Sequence, residues 1–135
     1  MCGITGLLGV TREGSLPQHL DAMASSLSHR GPDASGYWHE ADGSAGLAHR
    51  RLSILDLSSA GAQPMLSRSE RFVIAFNGEI YNHGTLRREL EGESVVPSWK
   101  GHSDTETLLS TIEYWGVAAA LRKAYGMFAL AVWDR

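Results

Sequence analysis

Cys2 is the only cysteine in this 135-residue chain, and it stands directly behind Met1 and ahead of Gly3. Removal of Met1 would place a thiol and a free α-amine on the same Cα. The amine, with a reference pKa of about 7.7 to 8.0, can take the thiol's proton, so nucleophile and base arrive in one residue. Retention of Met1 would block that amine and leave an inactive precursor. A thiol that attacks a carboxamide needs donors aimed at the developing oxyanion. Asn77-Gly78-Glu79 offers a side-chain amide, a backbone N–H unobstructed by a Cβ, and a carboxylate. An amino-acid substrate would further need a planar cation for its carboxylate and an acidic group for its ammonium. The Arg50-Arg51 pair and Asp104 can supply them.

Each of these features also has an ordinary reading. A lone cysteine is commonly an inert, buried hydrophobe, although chain ends are seldom buried. Asn-Gly is a common hairpin turn. Adjacent arginines suit a solvated edge strand, and an acidic residue in the first turn of a helix suits the helix dipole. The chemical reading rests on their conjunction. Asn77-Gly78 carries one further mark: a two-residue hairpin calls for a second alternating strand, whereas Tyr81 to Leu90 reads as helical. The sequence therefore predicts a strand that ends at Asn77-Gly78 and feeds a helix, a better place to bind something than a hairpin tip.

The elements that must position these groups follow from periodicity. Ile4 to Val10 reads as a first strand that holds Cys2 at its leading end. Ser15 and Gln18 match a capping box, and Leu16, Leu20, Met23 and Leu27 mark one face of a helix that Arg30-Gly31-Pro32 stops. Short strands are expected at Gly36 to Glu40 and Gly46 to Leu52. A loop of small residues, Ser58 to Pro64, is a lid candidate, and a strand follows at Arg71 to Phe76. Helices are expected over Asn82 to Glu91, from a capping box at Ser103 to Glu106 with Leu108, Ile112 and Trp115 on one face, and over Val117 to Ala124. Met127 to Asp134 alternates large and small residues as a strand packed tightly on both faces would. The pattern is α/β or α+β, in one domain without internal repeats or linkers.

Composition narrows the function. At 43% hydrophobic the chain can build an ordinary core without metals or disulfides. One cysteine makes no internal disulfide, and a working thiol prefers a reducing compartment, so cytoplasm is the default. Residues 1 to 10 lack a basic n-region and glycines interrupt their apolar run, which argues against a signal peptide, and the longest plain apolar run, Val117 to Leu121, is too short to span a membrane. A net charge of −3 with scattered basic residues argues against a nucleic-acid partner. The six histidines show no metal-ligand spacing, so no metal is expected, and neither a Rossmann nor a Walker-type loop is present.

Taken together, the motifs resemble the class II, N-terminal nucleophile, glutamine amidotransferase domain at the front of glutamine-hydrolysing asparagine synthetases. They are Met1-Cys2-Gly3-Ile4, His29-Arg30-Gly31-Pro32-Asp33, His49-Arg50-Arg51-Leu52-Ser53-Ile54, Asn77-Gly78-Glu79-Ile80-Tyr81-Asn82, Ser103-Asp104-Thr105-Glu106 and Gly126-Met127-Phe128-Ala129. The resemblance implies that Cys2 is the nucleophile, that Asn77 and Gly78 form the oxyanion hole, and that Arg51 holds the α-carboxylate of L-glutamine. Glu79 with Asp104 would hold the α-amino end, and the backbone around Leu52, Ser53, Ile54 and Leu55 would line the pocket. The implied fold is α+β, the four-layer αββα sandwich of N-terminal nucleophile hydrolases. That domain usually runs on beyond the length seen here, so residues 1–135 are expected to be an incomplete amidotransferase domain. The synthetase half, with its Ser-Gly-Gly-x-Asp-Ser signature, is absent from the sequence, and with it the expected need for ATP and magnesium; no cofactor is implied for residues 1–135. The implied partner is a C-terminal synthetase domain that uses the ammonia to amidate aspartate, and a homodimer is left open. Three alternatives stand beside this reading: a different acceptor, such as a sugar acid in polysaccharide synthesis; a non-catalytic glutamine-binding or docking module; and an amidase for some other amide.

Overall fold

A computed structural model describes residues 2–9, 15–52, 59–93 and 98–135. Two three-stranded antiparallel sheets carry the fold. In the first, β1 (Gly3–Leu8) and β2 (Ala34–His39) flank β3 (Ala45–Arg51). In the second, β5 (Phe72–Ile80) lies between the two-residue β4 (Met65–Leu66) and β6 (Gly126–Asp134). The helices are α1 (Leu16–Ser26), α2 (His83–Gly92), α3 (Asp104–Trp115) and α4 (Val117–Lys123), with a short 3-10 turn at Ser59–Gly61. Among the described residues no helix is long and apolar enough to cross a membrane.

Side-chain alternation along the strands sorts the apolar residues into three clusters. Leu16, Leu20 and Ala24 of α1 pack on Ala48 and Leu7 of the first sheet. Leu47 on the opposite face of β3 meets Val73 and Ala75 of β5, with Ile4, Trp38, Ala131 and Trp133 around them, so the two sheets touch face to face. Phe72, Ile74, Phe76 and Ile80 on the other face of β5 pack against Leu86, Leu108, Leu109, Ile112 and Ala120 from α2, α3 and α4. The strand β5 thus has apolar neighbours on both faces, which is why Phe-Val-Ile-Ala-Phe shows no polar alternation.

Several expectations change. Ser15 precedes α1 but makes no side-chain cap hydrogen bond, and Pro17 occupies the first turn, where its missing N–H costs nothing. Ser103 does cap α3: its hydroxyl accepts from the Glu106 N–H at 3.2 Å. The return half of that box is not made. The Glu106 carboxylate instead accepts from the N–H groups of Lys100 and Gly101 and pairs with Arg87, tying the preceding loop and α2 to the helix start. β6 has neighbours on both faces, yet none of its residues is fully buried, and Met127 is exposed. It forms one edge of its sheet. The largest difference is in β5, which does not end at Asn77-Gly78. It pairs with β6 without interruption from Phe72 opposite Asp134 to Ile80 opposite Gly126. Neither a hairpin turn nor a strand-to-helix junction sits at Asn77-Gly78; α2 begins only at His83.

Candidate active site

Cys2 precedes β1 and is half-buried. The register that sets Gly3 opposite Arg50 brings Cys2 beside the end of β3, where the Leu52 N–H donates to the Cys2 sulfur at 3.4 Å. The thiol in turn lies 3.7 Å from the Leu52 carbonyl oxygen. The motif His29 to Asp33 holds this corner together. Arg30 Nε donates to the Cys2 carbonyl at 3.2 Å, Arg50 Nε to the Gly31 carbonyl at 3.0 Å, and the Asp33 N–H to the Arg51 carbonyl at 3.0 Å. A Cβ on residue 31 would fall 2.3 Å from the Arg50 backbone, so only glycine allows this approach. Arg50 is therefore committed to the corner and does not reach the cavity beside Cys2; Arg51 does.

That cavity measures about 460 Å³, within the range of small-molecule sites. Cys2, Arg51 and Leu52 line it together with Asn77, Gly78, Glu79 and Asp104, and Gln63, Thr105, Tyr81 and Phe128 are among the other wall residues. Ser53, Ile54 and Leu55 lie outside the described residues. The Arg51 guanidinium rests against Gly61, where a Cβ would come within 2.3 Å of its Nη2. A planar cation and the acidic pair Glu79 and Asp104 thus border one cavity, a charge arrangement that matches a zwitterion.

Gly78 is required for a reason the sequence did not supply. Its φ is +149°, and a Cβ there would lie 2.2 Å from the Met127 carbonyl oxygen and 2.5 Å from the Phe128 Cα. The neighbouring strand by itself excludes a side chain here. Asp104 is 5% exposed and partly engaged: its Oδ2 accepts from the Ile80 N–H at 2.9 Å and its Oδ1 from the Thr105 N–H at 2.8 Å. A carboxylate can accept about four hydrogen bonds, so capacity remains for a cation in the cavity. Its place at the first turn of α3 also sets its charge against the positive end of the helix dipole.

Two residues that the sequence reading did not assign to the site stand just behind Asn77. The Phe76 N–H donates to Gln63 Oε1 at 2.6 Å, and the Phe76 carbonyl accepts from His49 Nε2 at 3.0 Å. His49 is 1% exposed, and its Nδ1 has no hydrogen-bond partner among the described residues. Burial, outweighing the bond to Phe76 and aided by the nearby Arg51 charge, holds its pKa below the usual histidine value. The bond to the Phe76 carbonyl requires a proton on Nε2, and the neutral ring that carries it there leaves only an acceptor lone pair unpaired at Nδ1.

The sequence matches the glutamine amidotransferase domain family over residues 1–135. The chain belongs to that family. It is 38% identical over 138 residues to asparagine synthetase [glutamine-hydrolyzing] 1 of Bacillus subtilis (strain 168), a match that covers 100% of the chain and 21% of that protein. It is 38% identical over 135 residues to asparagine synthetase B [glutamine-hydrolyzing] of Escherichia coli (strain K12), covering 99% of the chain and 23% of the relative. A putative asparagine synthetase [glutamine-hydrolyzing] of Mycobacterium tuberculosis (strain ATCC 25618 / H37Rv) is 36% identical over 148 residues, with 99% of the chain and 22% of the relative covered. The amidotransferase domain described here thus spans about a fifth of the length of these relatives.

Proposed function

We propose that this domain hydrolyses L-glutamine to glutamate and ammonia and supplies the ammonia to an ATP-dependent amidation of aspartate carried out by a synthetase portion of the same protein. The observation that carries the reading is the single cavity bordered by Cys2, Arg51, Asn77, Gly78, Glu79 and Asp104. With Met1 removed, the Cys2 sulfur attacks the side-chain amide carbon while the α-amine takes the thiol proton. The oxygen becomes an oxyanion held by the Asn77 amide and the Gly78 N–H. Collapse of the tetrahedral intermediate breaks the C–N bond, the protonated α-amine gives its proton to the leaving nitrogen, and ammonia departs. Water, deprotonated by the same amine, hydrolyses the γ-glutamyl thioester to glutamate and restores the thiol. Arg51 takes the substrate α-carboxylate, and Glu79 with Asp104 takes the α-ammonium, so the clamps select an amino acid over a simple amide.

The names of the relatives favour aspartate as acceptor over a sugar acid. In this reading the domain itself uses no metal or organic cofactor, ATP and magnesium belong to the synthetase portion, and the protein works in the cytoplasm. The three apolar clusters support the finer fold assignment, the αββα sandwich of N-terminal nucleophile hydrolases, with α1 and the α2–α4 group as its outer layers.

Intact-protein mass spectrometry with 6-diazo-5-oxo-L-norleucine tests the site. The expected result is a mass lacking Met1 that gains one adduct on Cys2, with labelling blocked by excess glutamine. A processed, folded protein that binds glutamine but neither labels nor turns it over would instead be a binding module.

A further inference from the structure

We propose that Gln63 is a positioning residue for the Asn77 oxyanion donor: its side-chain amide takes the place of a missing β-strand residue and holds the N–H of Phe76, the residue that leads into Asn77. The inference rests on the assignment of Asn77 and Gly78 as the oxyanion hole.

The argument starts from the register of the second sheet. β4 pairs with β5 only through Met65 opposite Ile74 and Leu66 opposite Val73. Extending that antiparallel register by two residues would set residue 63 opposite Phe76. The chain does not continue that way. The backbone of Gln63 lies instead against the first sheet, where a Cβ on Gly36 would fall 2.2 Å from the Gln63 carbonyl oxygen. The Phe76 N–H, left without a strand partner on that side, is taken by Gln63 Oε1 at 2.6 Å. The other end of the same amide donates to Thr105 Oγ1 at 3.3 Å, next to Asp104. The Gln63 backbone therefore packs against β2 while its side chain ties β5, immediately before Asn77, to the start of α3 beside the acid that receives the substrate ammonium.

Buried His49 shares the near end with Gln63 by holding the Phe76 carbonyl at 3.0 Å, and the opposite end is held in a matching way by the Ile80 N–H on Asp104 Oδ2 at 2.9 Å. Asn77, Gly78 and Glu79 thus lie between two peptide groups pinned by side chains. Oxyanion donors act because they are in place before charge develops, and productive geometry tolerates only about 0.5 Å of error. A group that fixes Phe76, and with it the backbone entering Asn77, is therefore felt in the transition state more than in substrate binding.

The test is a double-mutant cycle on glutaminase turnover with Gln63→Met and Asn77→Ala. Gln63→Met keeps the length and bulk of the side chain and removes the acceptor. It should lower kcat about 10-fold or more while KM for glutamine stays within about 3-fold, the split expected of an interaction realised only in the transition state. Gln63→Glu, which retains an acceptor for the Phe76 N–H, should recover most of kcat. In the Asn77→Ala background Gln63→Met should cost almost nothing further, because the donor it aims is gone. The same multiplicative loss in both backgrounds, or a raised KM at unchanged kcat, overturns the inference and makes Gln63 a substrate contact or a general support. Should Gln63→Met fail to fold, Thr105→Val enters the same cycle, since it removes only the anchor of the amide; its kcat loss should likewise vanish beside Asn77→Ala. A wild-type kcat in Asn77→Ala would overturn the oxyanion assignment itself and this inference with it, whereas a loss there combined with an additive Gln63 effect overturns this inference alone.

Discussion

The two halves of β5 share one backbone and one partner strand but different surroundings. From Phe72 to Phe76 every residue is buried, none more than 5% exposed, with α2 to α4 on one face and the first sheet on the other. From Asn77 to Glu79 the pairing with β6 goes on unchanged, yet the side chains are half-buried or exposed. The reason lies in the first sheet: β1 starts at Gly3 and β3 ends at Arg51, so its cover stops there and leaves the cavity between Cys2 and Asn77. Polar groups in the second half need not be buried unpaired, and the ladder beneath them keeps the rigidity of the core. Fold and site are consecutive segments of one strand, separated by where the opposing layer ends.

A substitution in each half should therefore damage a different quantity. Ile74→Ala, in the buried half, should cost about 2–5 kcal/mol of stability and leave kcat per folded molecule near wild type, as read from denaturant unfolding beside glutaminase assays. Asn77→Ala should do the reverse. Loss of one oxyanion donor is worth about 2.7–4 kcal/mol in the barrier, or two to three decades of kcat, with the unfolding midpoint unmoved. If Asn77→Ala proved as destabilising as Ile74→Ala, the division of the strand would not hold.

A smaller effect is expected where the second half is anchored. Ser103 caps the helix whose first residue, Asp104, receives the Ile80 N–H, so Ser103→Ala should lower stability by about 1 kcal/mol. Calorimetry would show this, and a neutral result would mean that the Asp104 contacts hold the helix start without the cap. The smallest effect at neutral pH concerns His49, at the boundary of the two halves. Its proton affinity is lowered in the folded state, so below the ordinary value of 6.5 the unfolded chain binds more protons than the folded one. Its contribution is thus complete above pH 6.5 and declines as pH falls below it. Unfolding free energy followed against pH should show a shallower acid decline in His49→Gln than in wild type; identical slopes would place the acid sensitivity elsewhere.

Much of this was legible from residue types. The run Phe72 to Phe76, the helical face of Leu108, Ile112 and Trp115, and the Ser103 cap are local patterns, and the structure places all of them as expected. Cys2, the Arg50-Arg51 pair, Asn77, Gly78, Glu79 and Asp104 could be named as candidates from thiol, guanidinium, amide and carboxylate chemistry, whereas the choice of Arg51 and the inclusion of Leu52 came from the family resemblance; the structure sets Cys2, Arg51, Leu52, Asn77, Gly78, Glu79 and Asp104 around one cavity. Ser15 was misread because a Ser and a Gln three residues apart satisfy the letters of a capping box, while the backbone at Ser15 is already helical and so cannot present its hydroxyl to the turn that follows. The end of β5 was misread because Asn-Gly is a turn signal only when no neighbouring strand claims the backbone; here β6, almost fifty residues later in the chain, claims it.

The amino-acid sequence by itself determined which groups can do chemistry and which stretches are apolar with a strand or helix period, since both are properties of single residues and their near neighbours. Only the tertiary structure decided that Arg50 is spent on the Gly31 carbonyl, that Gly78 is demanded by the strand beside it, and that Gln63 and His49 stand behind Asn77. Those assignments depend on contacts between segments distant in sequence, and a contact of that kind leaves no local period, because its partner is chosen by register and packing rather than by spacing along the chain.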